Sequence, residues 1–406
     1  MIPAHRQRYN AEFTPEKYRL FLADIENTYH KESVFRVAET PIFVPHSLKQ
    51  KMIAASEHII DQILEPDFGT YSAAALHPEY IVPNETPHSH FICIDFAVCR
   101  DEKGELSPQL IELQGCASLF CFQHLAGLLY RKHFYCPDNF NHLFGDLDND
   151  GYLSLLKQTI LGQHKPENVI LLEIKPHEQK TRIDFYATQG MLGIRPTCVS
   201  EIIREGRQWF YINDQGQKTP IYRVYNRVIF EDFAHYPDLS PAVLLEESDV
   251  EWVGHPNWFF RISKHTMPLL DDPCVPKSRF LSDFREWPSD LENYVLKPLF
   301  SFAGTGIIID VKQEDLAAIP EAERGQYLLQ RKVKYEPVID APNEPVKVEL
   351  RMMYVWPDKA ARPTLVTNLG RMSKGSMIGV RYNANKDWVG GTMGFFENSP
   401  NDSGVV

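Results

Sequence analysis

The chain has 406 residues, 43% of them hydrophobic, and a formal net charge of -12. At about 150 residues per domain, this length allows two or three lobes around a sizeable core. The acidic balance argues against a nucleic-acid partner, which would require a clustered basic face. No run of about 18 apolar residues exists to span a membrane, and the N-terminus lacks an apolar core of signal-peptide length.

Taken in chain order, residues 14–64 read as helical. Thr14-Pro15-Glu16 is a start signal, and Leu48, Met52, Ile53, Ile59, Ile60 and Ile63 recur at helical spacing. Residues 90–98 and 109–114 read as two strands joined by a turn around Lys103-Gly104, which makes a hairpin, and 118–131 resumes a helical pattern. From Asn168 the pattern becomes strand (168–174), helix (about 179–190) and a short strand ending at Val199, a βαβ unit of an open sheet. A strand at 222–230 and a helix at 239–247 follow. Beyond these come a helix near 263–270, strand 294–297, loop 298–306, strand 307–311 and helix 313–318. Strands at 327–334, 346–355 and 363–368 precede a Gly-rich stretch at 370–394 and a loose tail from Asn398.

Two segments stand out chemically. Lys297-Pro298 is followed by Ser301, Ala303, Gly304, Thr305 and Gly306 between two apolar strands. Small residues let backbone N–H groups approach anionic oxygens, and Lys297 adds a charge. A tight hairpin turn would read the same way. In the hairpin at 90–114, Glu112 and Gln114 share a strand face, and Asp95 can join them from the neighbouring strand. Two carboxylates and an amide oxygen suit magnesium, whereas alternating polar residues also mark a solvated strand face.

Other signals are incomplete. Asp146-Leu-Asp148-Asn-Asp150-Gly151 matches half of a calcium loop, but its twelfth position is Lys157, and a turn capping the next helix fits equally. His77, His88 and His90 lack a partner at zinc-site spacing. The seven cysteines form no CxxC pair, so buried free thiols in a reducing cytoplasm are expected, and Cys116 and Cys121 show no sign of activation. Arg223 and Arg227 alternate in a way that could present a carboxylate-binding face.

Ile94-Asp95-Phe96 with Leu110-Ile-Glu112-Leu-Gln114-Gly-Cys-Ala-Ser118 resembles the magnesium-binding stretch of glutathionylspermidine synthase-like enzymes, which are circularly permuted ATP-grasp proteins. Ser263-Lys264-His-Thr-Met-Pro-Leu-Leu270, Tyr294-Val-Leu-Lys297-Pro298 with Gly304-Thr305-Gly306, and Tyr327-Leu-Leu-Gln330 are similar to that family's lysine-bearing, phosphate-loop and adenine-strand segments. The order, with the metal-like segment first, is that of the permuted family. Gln114 stands where the family carries Asn, and Cys93 where it carries Arg.

The resemblance implies an α/β (α+β) fold of circularly permuted ATP-grasp architecture, with a pre-ATP-grasp-like open βαβ sheet lobe. It divides the chain into 1–160 (helices and metal-binding hairpin), 161–250 (α/β lobe), 251–397 (ATP-binding lobe) and a tail at 398–406. Lys264, Lys297, Gly304, Thr305, Gly306 and Gln330 would hold ATP, and Asp95, Glu112 and Gln114 would hold Mg2+. Arg351 and Arg371 would act at the reacting phosphate or substrate, unless each is simply a strand-face arginine paired with Glu349 or a surface acid. The implied activity is an ADP-forming ligase joining a carboxylate to an amine through an acyl phosphate. A small-molecule kinase and a non-catalytic nucleotide-binding protein remain as alternatives.

Overall fold

Strands covered on both faces are apolar almost throughout, and the two longest obey this rule: in Phe91–Arg100 and Val346–Val355 nearly every residue is buried. In the computed structural model, which describes residues 1–29, 35–300, 306–375, 378, 383 and 385–399, these strands run antiparallel at the centre of a six-stranded sheet. Its order is Gly390–Thr392, Thr364–Ser373, Val346–Val355, Phe91–Arg100, Leu106–Gln114, with Pro337–Ile339 pairing to Val346–Val355. Ile92, Ile94, Phe96, Leu350, Met352 and Tyr354 share one core with Leu48, Met52, Ile59 and Ile60 of helix His46–Ile63. With a side-chain period of two, Cys93, Asp95, Glu349 and Arg351 therefore fall on the opposite face.

A second sheet is wholly parallel, ordered Glu251–Val253, Arg223–Asn226, Val169–Glu173, Arg195–Cys198. The expected βαβ unit is present: helix Arg182–Leu192 crosses between the last two strands and ends at Gly193, whose φ of 75° only glycine adopts easily. A third, antiparallel sheet is ordered Ser278–Phe280, Tyr327–Arg331, Tyr294–Pro298. Leu296 and Leu329 pair across it and pack with Leu281, Val311 and Leu316 on one side. Val295 and Lys297 with their partners Gln330 and Leu328 occupy the other side.

Several expectations are corrected. The helix expected over 14–64 is two helices, Pro15–Tyr29 and His46–Ile63, separated by a strand, Ile42–Val44. Pro41 and Pro45 bracket that strand and keep it out of helix, and it pairs in parallel with Gly394–Glu397. Strand 307–311 reduces to one bridge, Leu296 to Ile308. Strand 222–230 stops at Asn226, whose side chain turns back onto the backbone of Val228. The helix expected at 239–247 is the single turn Ala242–Leu245, and the one near 263–270 is the 3-10 helix Lys264–Leu269, with Pro268 inside. No helix among the described residues is long and apolar enough to cross a membrane.

Candidate functional site

Three strands of the central sheet bring charges together in a row. Arg351 lies directly across from Asp95, and Asp95 directly across from Glu112. Asp95 is fully buried; its Oδ1 accepts from Arg351 Nε at 2.6 Å and its Oδ2 from Arg351 Nη2 at 2.7 Å. Arg371 also donates to Oδ2 and lies 3.3 Å from Glu349. Burial alone would raise the Asp95 carboxyl, but the two guanidinium groups outweigh it and hold the group at about 2. Glu349 shows the opposite balance. Burial pushes its carboxyl up despite Arg371, and Tyr335 donates its hydroxyl hydrogen to it.

The register of the hairpin jumps from Asp95–Glu112 to Phe96–Leu110, leaving Ile111 as an extra residue. Such a bulge turns a carbonyl out of the ladder, and Lys297 Nζ donates to the Ile111 oxygen at 3.1 Å. Lys264 reaches the same place along another path. Gly115 donates its N–H to the Ile262 carbonyl at 2.8 Å, and a Cβ there would lie 2.3 Å from the Trp258 oxygen. Only glycine permits this close approach, which sets Lys264 Nζ 4.0 Å from Glu112. A small cleft results, lined by Glu112, Gln114, Ser263, Lys264 and Leu299 among others.

Both lysines are buried, at 6% and 7% exposure. Burial, reinforced by Lys264 and opposed by Glu112, lowers Lys297 to about 8, and burial lowers Lys264 against the pull of Glu112 and Glu231. Two desolvated ammonium groups share the Glu112 carboxylate as a counter-charge, and an anion brought beside them would be attracted to both. Gln330 shares the sheet face of Lys297; it is 1% exposed, and its Oε1 has no partner among the described residues. An unpaired buried carbonyl is costly unless a ligand donor meets it.

These features fit a nucleotide: lysines for phosphates and an open amide acceptor for a purine amino group. The magnesium donor set fits less well. Both oxygens of Asp95 are engaged by guanidinium groups, and Glu112 accepts from Gln114 Nε2 at 2.9 Å while lying 3.9 Å from Arg351. Among the described residues no three His, Cys, Asp or Glu groups are arranged to hold a metal.

The remaining candidates sort by their contacts. Gly304 and Thr305 lie outside the described residues; Gly306 has a φ of 73°, and a Cβ there would meet Pro298 at 2.8 Å. Arg351 pairs with Asp95 rather than Glu349, whereas Arg371 reaches both acids. Arg223 and Arg227 lie at opposite ends of their strand, and each is bound to acids of the chain itself. Arg223 sits at the start of its strand, buried against Glu251, Asp358 and the carbonyls of Thr159 and Ile160. Arg227 lies past its end, 2.6 Å from buried Asp184. Asp148 caps helix Asn149–Leu161 by accepting from the Gly151 N–H at 2.7 Å, which gives the half calcium loop its structural role. His90 bonds Asp358 at 2.6 Å, and His88 stacks on Trp356. All seven cysteines are free, and burial pushes Cys93 up to about 12 and Cys116 to about 11. Glu349 was within reach of sequence reasoning, since it shares a strand face with Arg351. Glu173 and Glu231, which burial raises to about 8 and about 7, carry no sequence signal.

No family model matches the chain, and no curated protein matches it in sequence. Among solved structures it is similar to a glutathione synthetase-like effector from Globodera pallida, in its apo form, with a TM-score of 0.58 and 12% sequence identity. The match covers 96% of this chain and 99% of that one, so the similarity in fold extends end to end.

Proposed function

We propose that the cleft binds ATP and uses it to activate a carboxylate, which an amine then converts to an amide with release of ADP and phosphate. The observation that carries this reading is the pairing of Lys264 and Lys297, buried together beside Glu112, with the unpartnered Gln330 oxygen on the sheet face of Lys297. The overall likeness to a glutathione synthetase-like fold supports it, as does the chain order, in which the carboxylate hairpin at 91–114 precedes both lysines, as in a permuted ATP-grasp protein.

In this reading Lys297 and Lys264 hold the phosphates. Gln330 orients the purine. Arg351 and Arg371 stand beside the transferred phosphoryl group, where positioning and charge neutralisation do most of the catalytic work. The carboxylate oxygen attacks the γ-phosphorus, and ADP leaves with the electrons of the broken P–O bond. The amine nitrogen then adds to the acyl carbon and expels phosphate, which takes up the proton the nitrogen loses, so no protein nucleophile is required. The inert, protonated thiols of Cys93 and Cys116 agree with that requirement.

A second reading, nucleotide binding without turnover, draws support from the engagement of both Asp95 oxygens by arginines. One set of measurements separates the two. Calorimetric titration should show ATP binding in the native protein and none in Lys297→Ala; equal affinity in the variant would remove the lysine from the site. Phosphate release from ATP, stimulated by some member of a panel of carboxylates and amines, supports the ligase. ATP binding with no phosphate release across the panel supports the second reading.

A further inference from the structure

Asp95 occupies the centre of the carboxylate hairpin, where a divalent ion bridging two phosphates would be anchored. Here that carboxylate is the acceptor for two guanidinium groups, Arg351 from the adjacent strand and Arg371 from the strand beyond it. A magnesium ion needs oxygen ligands with lone pairs turned toward it. To use Asp95 it would have to displace both arginines from a fully buried acid. The surrounding charge opposes this as well. Lys264, Lys297, Arg351 and Arg371 face the carboxyl groups of Asp95, Glu112 and Glu349, with Glu231 close enough to act on Lys264. A dication would meet four cationic side chains there, whereas a polyphosphate would be drawn to them. Arg371 adds a sign of its own: its Nε is buried with no acceptor among the described residues, although the side chain is about a third exposed (32%) toward solvent.

Building on the nucleotide reading above, we propose that this cleft takes the polyphosphate of ATP without a divalent cation, its charge met directly by Lys264, Lys297 and Arg371. The arginine pair on Asp95 stands where a metal ion would sit. It neutralises the carboxylate and presents N–H donors to the phosphate oxygens, two of the functions such an ion performs.

The test is a calorimetric titration of the full-length protein with ATP, in excess EDTA and again in excess magnesium chloride. The expected result is binding in EDTA, with the two affinities within threefold of each other. A gain of more than threefold in magnesium overturns the inference while leaving the nucleotide reading intact. Absence of binding in both buffers overturns both. Two variants sharpen the outcome. Arg371→Gln, altering a partly exposed side chain, should weaken ATP binding in EDTA at least tenfold, and unchanged affinity counts against the proposal. Asp95→Asn keeps an acceptor oxygen for the guanidinium groups while removing the competing charge, and should keep or tighten binding in EDTA; a loss of binding there in the folded variant counts against the proposal. If Asp95→Asn does not fold, the native and Arg371→Gln titrations decide alone.

Discussion

Replacing Arg351 with Met tests the charge network most directly. The side chain makes two hydrogen bonds to Asp95, at 2.6 and 2.7 Å, and one to Ser118 at 2.9 Å. Removing one partner of a buried ion pair costs roughly 3–5 kcal/mol, because the other charge stays buried. Arg371 still reaches Asp95, so a loss of about 3 kcal/mol at pH 7 is expected. The pH dependence carries the sharper information. In the native protein the Asp95 carboxyl is depressed from 3.8 to about 2. A depressed carboxyl contributes stability that is complete above its unfolded pKa and is lost as pH falls through the folded value. The full contribution is on the order of 2 kcal/mol, part of which has gone by pH 3. In Arg351→Met the carboxyl rises toward its ordinary range, so the variant escapes most of that acid loss. The gap between native and variant should narrow between pH 6 and pH 3, measured by urea denaturation at each pH. A variant loss below about 1 kcal/mol at pH 7, or a gap that widens on acidification, would refute the assignment of Arg351 as the main partner of Asp95.

Three further outcomes follow from the geometry. Burial lowers Lys297 to about 8, and Lys264 adds to the shift; an anionic ligand should raise it, so ATP binding at pH 8 should take up protons and at pH 6.5 take up few. Calorimetry in buffers of different ionisation enthalpy reads this directly. His142, buried with neither ring nitrogen partnered, is lowered to about 3. The unfolded chain gains its proton below about 6.5 and the folded chain does not, so stability falls from pH 6.5 toward 3, and His142→Phe should flatten that slope in thermal melts. Gly115→Ala would place a methyl group 2.3 Å from the Trp258 oxygen and 2.8 Å from Ile262. The segment bearing Lys264 must retreat, so stability should drop by roughly 1–3 kcal/mol and ATP affinity with it; an unchanged affinity would separate Gly115 from the lysine's placement.

What the sequence made legible was chiefly short apolar runs bounded by turn signals. The hairpin at 90–114 is there because one such run and a more polar one flank a glycine turn, and the βαβ unit because Val169–Glu173 is too short and too uniformly apolar to read as a surface helix. The break at Ile42–Val44 was hidden for a physical reason. Three apolar residues carry no periodicity, and their partner strand, Gly394–Glu397, lies at the other end of the chain. The one-turn helix at Ala242–Leu245 and the lone bridge at Ile308 reflect the same limit, since an apolar run does not show how many residues tertiary packing will retain in a ladder.

The candidate site divides along that line too. Glu112 and Gln114 share a face by spacing, and Asp95 joins them across one turn, so local chemistry finds the three together. Whether Asp95 is available to a ligand depends on Arg351 and Arg371, which lie 256 and 276 residues further on. Their positions two residues from Glu349 and from Leu369 reveal which strand face they occupy, but nothing in the chain between them shows that the strands will be neighbours. An acidic hairpin therefore looks the same in sequence whether a cation from solvent or an arginine from the next strand neutralises it. Desolvation favours the arginine. A guanidinium delivered by the fold arrives as the strand pairs, with several N–H donors fixed in a plane, and requires no binding step of its own. Asp95 is consequently better regarded as the fixed counter-charge that holds two phosphate-facing arginines in place than as a vacant ligand, and the titration in EDTA is the measurement that separates these two uses of one carboxylate.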